Sequence, residues 1–230
     1  DLMAALALFD LQRATQQSAG PEAQSLDSRI RAAVGSLVSS QRDDGAWGWS
    51  LGQNTPHNRY VTARNVWALH LARQAGYGVA DDTMDRATTF LQSDLAKLDP
   101  SDHESRAIIV HALTVSGTAD FAQANRLYRS RQGLSSTGLC YLALAFAKMD
   151  RKETARELLT IVASRNLSVG GSRVFAWSRS ETETRALFAL ALQAASPTGP
   201  RFKAQIDWLM AHRTGHRWSP DKATGPAAAA

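Results

Sequence analysis

Two kinds of helical segment alternate along this chain, and the alternation constrains the fold more than any other feature of the sequence. Segments of one kind are apolar nearly all round, whereas segments of the other kind carry a charged stripe that can face water. This order predicts an all-α, two-layer array in which a buried inner helix is followed by an exposed outer helix. The apolar segments are residues 4–11, 66–72, 107–115, 140–147 and 186–195, and the striped segments are residues 28–40, 85–98, 120–131, 153–165 and 202–213.

The predicted fold class is therefore all-α, an α/α toroid of alternating inner and outer helices with about five and a half helical pairs. The half pair is a truncated eleventh helix that starts near Thr224. We expect residues 1–230 to form a single toroid domain. Because both ends of the sequence have helical patterns, we also expect this domain to be a fragment of a larger multidomain protein.

Composition and charge exclude several classes of protein. Hydrophobic residues make up 44% of the chain and charged residues 20%, as in soluble globular domains. The 26 basic and 21 acidic residues are spread along the whole length, which does not favour a nucleic-acid partner. No apolar run approaches the roughly 18 residues that a membrane-spanning helix needs, so no membrane contact is predicted.

A small hydroxyl residue stands shortly before each apolar run after the first. A hydroxyl at a helix N-terminus can accept a hydrogen bond from a backbone N–H that would otherwise lack a partner, which is worth about 1 kcal/mol. We therefore interpret these residues as structural helix starts rather than as nucleophiles. They are Thr62, Ser105, Thr137, Thr184 and Thr224.

Three connections from an outer to an inner helix contain glycine and tryptophan, at residues 43–49, 170–177 and 214–218. Glycine permits the turn, and an indole can fill the gap between neighbouring helix ends. Two interpretations stay open for Trp47, Trp49, Trp177 and Trp218, which the alternation of helix direction would gather on one face. They fill the interior, or they are exposed and form a contact surface.

The segment Gln41 to Trp47 has the pattern Q-x-x-x-G-x-W, with Gly45 at the glycine position. This pattern resembles the repeat of terpenoid cyclases, prenyltransferases and related α/α toroids. The order of further motifs is more specific: Thr62 begins the next inner helix, Glu181 and Thr184 begin a later one, and Trp218 and Thr224 precede the last. Over residues 35–230 the chain resembles the thioester-containing toroid domain of the α2-macroglobulin and complement family, especially its bacterial members.

The resemblance implies a broad-spectrum protease inhibitor of the periplasm or the extracellular space. In that family a protease cleaves a bait region, the molecule collapses, and a Cys–Gln thioester in this domain is attacked by a nucleophile of the protease. The implied partners are proteases and the neighbouring domains of the parent chain. The implied role is that of a scaffold and capture domain rather than a catalyst.

The thioester residues themselves are absent from this chain. The family's Cys-x-Glu-Gln motif stands near the start of the first inner helix, but the only cysteine here is Cys140, which is followed by Tyr-Leu-Ala in a different repeat. We predict that Cys140 is a buried free thiol. The motif either lies upstream of Asp1 or is missing from this homologue. Complement members also use a histidine in a loop before an inner helix, but we interpret His103 as part of an ordinary N-terminal turn.

The alternative function is that of a toroid enzyme, either a terpenoid cyclase or a prenyltransferase. A prenyltransferase needs an Asp, a Cys and a His around zinc, and a cyclase needs acidic residues at the mouth of the ring. We interpret three acidic groups as turns and helix caps: Asp43–Asp44, Asp81–Asp82 and Asp99–Asp102. His212 and His216 have the spacing of a helical metal pair, but they are only a weak signal of a metal site. We therefore predict that the chain is not an enzyme, that it has no catalytic, cofactor-binding or metal residues, and that its motif residues are structural.

Overall fold

The computed structural model of the chain describes residues 1–16, 20–50, 56–168, 180–196 and 199–230. These residues form two compact units, residues 1–119 and residues 120–230. The helices of the first unit are α1 (Leu2–Ala14), α2 (Pro21–Ser39), α3 (Arg59–Gln74), α4 (Asp81–Lys97) and α5 (His103–Val115). Those of the second are α6 (Phe121–Arg129), α7 (Ser136–Lys148), α8 (Lys152–Ala163), α9 (Glu181–Ala195), α10 (Pro200–Ala211) and α11 (Thr224–Ala229).

The predicted order of helices is confirmed. Every apolar segment and every striped segment lies on its own helix, and the last described helix begins at Thr224. In the part of the chain that the structure describes there is no β-strand, only isolated bridges between Gly48 and His57 and between Thr214 and Arg217. No described helix is long and apolar enough to span a lipid bilayer.

The division into buried and exposed helices is also confirmed for α3 to α10. Inner helix α5 buries every residue from Ala107 to Val115, whereas outer helix α6 buries only Ala124 and Leu127. The striped helices α4, α8 and α10 likewise bury a single side. Each unit therefore has its own apolar core, built where inner helices pack on their neighbours.

Helix α1 differs from the prediction. It was expected to be covered on most sides, but it buries only Leu2, Met3 and Leu6, while Leu8 is 45% exposed and Leu11 58% exposed. The reason is that within its unit α1 packs chiefly on α2 and, to a smaller extent, on α3.

The hydroxyl residues before the inner helices do not cap them as expected. The side chains that cap α3, α5, α7 and α9 belong to Asn58, Asp102, Ser135 and Ser180, each of which accepts a hydrogen bond from a backbone N–H of the first turn. Thr62, Ser105, Thr137 and Thr184 lie two to four residues further on, inside the helices. Their hydroxyl groups are thus available for contacts with other segments.

Basic residues are less evenly divided than the sequence pattern indicated. Residues 120–230 contain sixteen lysines and arginines against eight acidic residues, whereas residues 1–119 contain ten against thirteen. The formal excess of positive charge therefore belongs to the second unit.

Candidate functional site

Trp47 is held at both of its N–H groups. Its backbone N–H donates to Oγ1 of Thr62 at 3.0 Å, and its indole N–H donates to the carbonyl oxygen of Leu37 in α2 at 2.8 Å. The hydroxyl of Thr62 donates in turn to the carbonyl of Asn58 at 2.9 Å. Trp47 is 2% exposed, so a buried tryptophan joins the end of an outer helix to the start of the next inner helix. We call this arrangement of Trp47, Thr62 and Leu37 the first tryptophan clamp.

Gln41 fastens the same loop to α4. Its side-chain amide donates to the carbonyl oxygens of Gly45 and Thr83, both at 2.9 Å, and its Oε1 accepts from the Arg86 guanidinium at 2.7 Å. Gln41 is 5% exposed, so these bonds offset the cost of burying a carboxamide. The pattern Q-x-x-x-G-x-W thus corresponds to one hydrogen-bonded loop that joins α2, α3 and α4.

A second clamp, in which a tryptophan donates the same two hydrogen bonds, lies in the other unit. The backbone N–H of Trp218 donates to Oγ1 of Thr224 at 3.0 Å, and its indole N–H donates to the carbonyl of Leu209 in α10 at 2.7 Å. The Thr224 hydroxyl donates to the Trp218 carbonyl at 3.1 Å. Trp218 is buried against Ala186, Ala189, Ala223 and Ala227, whose small side chains let α9 and α11 approach it closely. We call Trp218, Thr224 and Leu209 the second tryptophan clamp.

The two predicted residues at the start of α9 have different environments. Thr184 is buried, and its Oγ1 lies 2.7 Å from Oγ1 of Thr137 in α7. Glu181 lies near the surface and pairs with Arg185 at 2.9 Å. A comparable bond in the first unit joins the Ser105 hydroxyl to that of Tyr60 at 3.1 Å. The hydroxyls at the starts of inner helices therefore join neighbouring inner helices.

Sequence reasoning missed the buried acid of this segment, which is Glu183 rather than Glu181. Glu183 is 6% exposed and forms a 2.7 Å ion pair with Lys222, which lies between Trp218 and Thr224. A signal for Glu183 was present, because Ser180 and Glu183 have the spacing of a capping box and the Ser180 hydroxyl accepts from the Glu183 N–H. Nothing in the sequence indicated its long-range partner.

His111 was also missed. It lies on α5 with 3% exposure, and its ring meets the Trp67 indole edge-on at 4.6 Å. Burial, with a smaller contribution from the Arg64 charge, lowers the pKa of His111 to about 3. The imidazole is therefore neutral in the folded chain at ordinary pH.

The cysteine and the histidines considered for chemistry each occupy a helix or a turn. Cys140 is fully buried in α7, as predicted, and His103 is the first residue of α5, next to the capping residue Asp102. His212 stacks on Trp208 at 3.7 Å at the end of α10, and His216 is exposed in the following turn. Within the described ranges, no three His, Cys, Asp or Glu residues are grouped so as to hold a metal ion.

The acidic groups occupy turns and helix starts, as interpreted. Asp44 accepts from the N–H of Ala46, Asp81 and Asp82 lie in the first turn of α4, and Asp99 accepts from the N–H of Ser101. Of the four loop tryptophans, Trp47 and Trp218 are buried and Trp49 is 59% exposed. Trp177 and the glycine pair at 170 and 171 lie outside the described residues.

Comparison with known proteins gives a structural likeness only. No family model matches the chain, and no curated protein matches it. The native E. coli α2-macroglobulin, solved by cryo-electron microscopy, matches with a TM-score of 0.73 and 18% identity over 92% of this chain and 14% of that one. A crystal structure of the same protein from domain MG7 to the C-terminus matches with a TM-score of 0.72 and 18% identity, over 92% of this chain and 35% of that one.

A Salmonella α2-macroglobulin that had been reacted with methylamine gives a similar result. Its TM-score is 0.72 at 18% identity, over 92% of this chain and 14% of that one. The chain thus spans about a seventh of the complete proteins that it matches. An identity of 18% is evidence for the fold alone. The chain has the all-α toroid fold of a region of the bacterial α2-macroglobulins.

Proposed function

We propose that this chain is the thioester-domain-like part of a bacterial α2-macroglobulin-type, broad-spectrum protease inhibitor, in which residues 1–230 act as one toroid domain of a larger protein. The observation that carries the proposal is the likeness to the E. coli protein over 92% of the chain. A structure of that protein was solved after activation by trypsin and another after activation by elastase. In the proposal, the partners are proteases and the neighbouring domains of the parent chain, and the location is the periplasm or the outside of the cell.

The domain acts in this proposal as a scaffold and capture platform and not as a catalyst. Its motif residues, from Gln41 to Thr224, fix the loops that enter inner helices α3 and α11 through hydrogen bonds of 2.7–3.0 Å. A rigid loop holds its neighbours in one orientation, which a platform for adjoining domains requires. The chain does not supply the thioester, because Cys140 is buried in α7 and is not followed by Glu-Gln.

Inhibition by trapping has a distinctive readout. The natural polypeptide that carries this chain would be mixed with trypsin, and the cleavage of casein and of a short chromogenic peptide would be measured. A trapped protease is shielded from proteins but remains accessible to small molecules. We expect casein cleavage to fall at least tenfold and peptide cleavage to fall less than twofold. Equal rates on casein with and without the inhibitor would refute the proposal.

Two further measurements separate the capture role from the enzyme alternative. Methylamine attacks the acyl carbon of a thioester, which leaves a methylamide on the former glutamine and releases the cysteine thiol, so peptides of this chain should show no methylamide after treatment with it. A methylamide on a glutamine of this chain, with release of the Cys140 thiol, would contradict the scaffold role. Incubation with zinc and a prenyl diphosphate should give no product. Turnover that depends on this chain would replace the inhibitor proposal by a prenyltransferase or cyclase.

A further inference from the structure

A groove of about 420 Å³ lies between α1 and α2. Its volume is within the roughly 300–1,000 Å³ that small-molecule sites occupy. None of its residues belongs to the motifs that resemble a known family. The groove is lined by Phe9, Gln12, Ala23, Gln24, Asp27 and Ser28.

The rim of the groove offers donors and acceptors side by side. Asp27 accepts from Nε and Nη2 of Arg31 at 2.8 and 3.2 Å, and this pairing lowers the pKa of Asp27, so that it is ionised at neutral pH. Gln12 and Gln24 each add one acceptor and two donors, and Ser28 adds a hydroxyl. A ligand here meets a mixed polar surface and not a single charge.

One wall of the groove is aromatic. The Phe9 ring is half-buried, and the Tyr77 ring holds it edge-on at 5.5 Å. Tyr77 is 6% exposed, and its hydroxyl lies beside the carboxylate of Asp27. Burial raises the pKa of Tyr77, with a further contribution from Asp27, so the phenol keeps its proton.

We propose that this groove binds a carbohydrate, with one apolar face of a sugar ring on Phe9 and its hydroxyl groups on Gln12, Gln24, Asp27 and Ser28. Each sugar hydroxyl both donates and accepts, which matches the mixed rim. A purely apolar ligand would bury these polar side chains without partners. A simple cation would compete with Arg31, which already occupies both oxygens of Asp27.

The test is titration of the 230-residue chain with chitohexaose and with maltohexaose, followed by calorimetry and saturation-transfer NMR. We expect saturable binding of at least one of these oligosaccharides. Ser28→Trp fills the groove from an exposed position and should weaken binding at least tenfold, whereas Ser36→Trp, exposed two turns further along α2, should leave it unchanged. Circular dichroism checks that both variants keep their helices.

Each groove residue that is expected to contact the sugar has a similar residue elsewhere in the chain, whose substitution serves as a control. Asp27→Ala should weaken binding about tenfold, since it removes a charged acceptor; Asp82→Ala breaks a similar exposed i,i+4 pair with Arg86 on α4 and should have no effect. Phe9→Ala should abolish binding. Phe121→Ala is the control, because an arginine lies over the ring of Phe121 as one does over the ring of Phe9, and this variant should bind as the unaltered chain does.

Three results would overturn the proposal. They are the absence of saturable binding of either oligosaccharide, affinity that survives Ser28→Trp, and binding of arginine amide without binding of sugars. The last result would assign the groove to a basic peptide. None of these results depends on protease inhibition, so the two proposals fail separately.

Discussion

The carbonyl oxygen of Arg86 lies 2.4 Å from the position that a Cβ atom on Gly45 would occupy. The backbone of the first clamp loop therefore touches the backbone of α4, and neither can move without disturbing a helix. Gly45 also has a φ of +85°, which L-residues with side chains rarely adopt. Two separate constraints thus require glycine at this position of the Q-x-x-x-G-x-W pattern.

Gly45→Ala should lower the free energy of unfolding by about 3 kcal/mol or more, because a new methyl group meets backbone rather than a flexible side chain. The matched control is Gly76→Ala, where φ is +92° and nothing lies within 4 Å of the added Cβ. It should cost only the conformational strain, about 1–2 kcal/mol. Urea unfolding measures both variants, and equal costs would show that the contact with Arg86 does not constrain the loop.

The threonines of the two clamps should have equivalent effects on stability. Thr62→Val and Thr224→Val keep the shape of the side chain but leave the N–H of Trp47 or Trp218 buried without an acceptor. Each should cost about 1–3 kcal/mol in urea unfolding. Thr62→Ser and Thr224→Ser keep the hydroxyl and should recover most of this loss. If valine and serine variants were equally stable, the bonds to tryptophan would contribute nothing to the fold.

Much of the fold could be predicted from the sequence because it depends on local periodicity. Segments such as 107–115 and 140–147 have no polar face, so they had to be covered, and the structure buries both. The order of the helices in the described part of the chain follows from this rule. The same rule was wrong for α1, because Leu8 and Leu11 are exposed, and a periodic pattern does not state which neighbours are present.

The motif residues were recognisable in the sequence, but their partners were not. Gln41, Trp47 and Thr62 could be selected, yet the carbonyls of Leu37 and Thr83 that complete their bonds are backbone atoms without a sequence signal. Glu183 and Lys222 are 39 positions apart, and only the fold brings them together. The groove between α1 and α2 is lined by ordinary surface residues, so no sequence pattern indicated it.

The stability of the chain should depend on His111 between about pH 6.5 and pH 3. The unfolded chain takes up a proton on this imidazole below about pH 6.5, whereas burial holds the pKa in the folded chain at about 3. Acid therefore favours the unfolded state, and stability falls as the pH decreases through this window, by up to about 1.4 kcal/mol per pH unit from this residue.

His111→Gln stays neutral at every pH and should reduce the loss of stability between pH 7 and pH 5 by about 2 kcal/mol. The readout is the free energy of unfolding at pH 7 minus that at pH 5, so a packing defect that is the same at both pH values cancels. His216→Gln changes an exposed histidine and should leave the difference as it is in the unaltered chain. A wild-type pH dependence in His111→Gln would show that His111 does not resist protonation in the folded chain.

The ion pair between Glu183 and Lys222 should be worth much more than its surface counterparts. Lys222→Met leaves the carboxylate of Glu183 in a site that is 7% exposed and should cost about 3 kcal/mol. Lys203→Met breaks a 2.6 Å pair with Asp207 whose two side chains are 76% and 62% exposed, and it should cost less than about 1 kcal/mol. The double variant Glu183→Leu with Lys222→Met removes both charges of the pair and leaves no carboxylate to be desolvated at position 183, so it should be more stable than Lys222→Met alone. Urea unfolding of the unaltered chain, Glu183→Leu, Lys222→Met and the double variant decides the point. If the double variant costs the sum of the two single variants, the pair does not join the second clamp to α9.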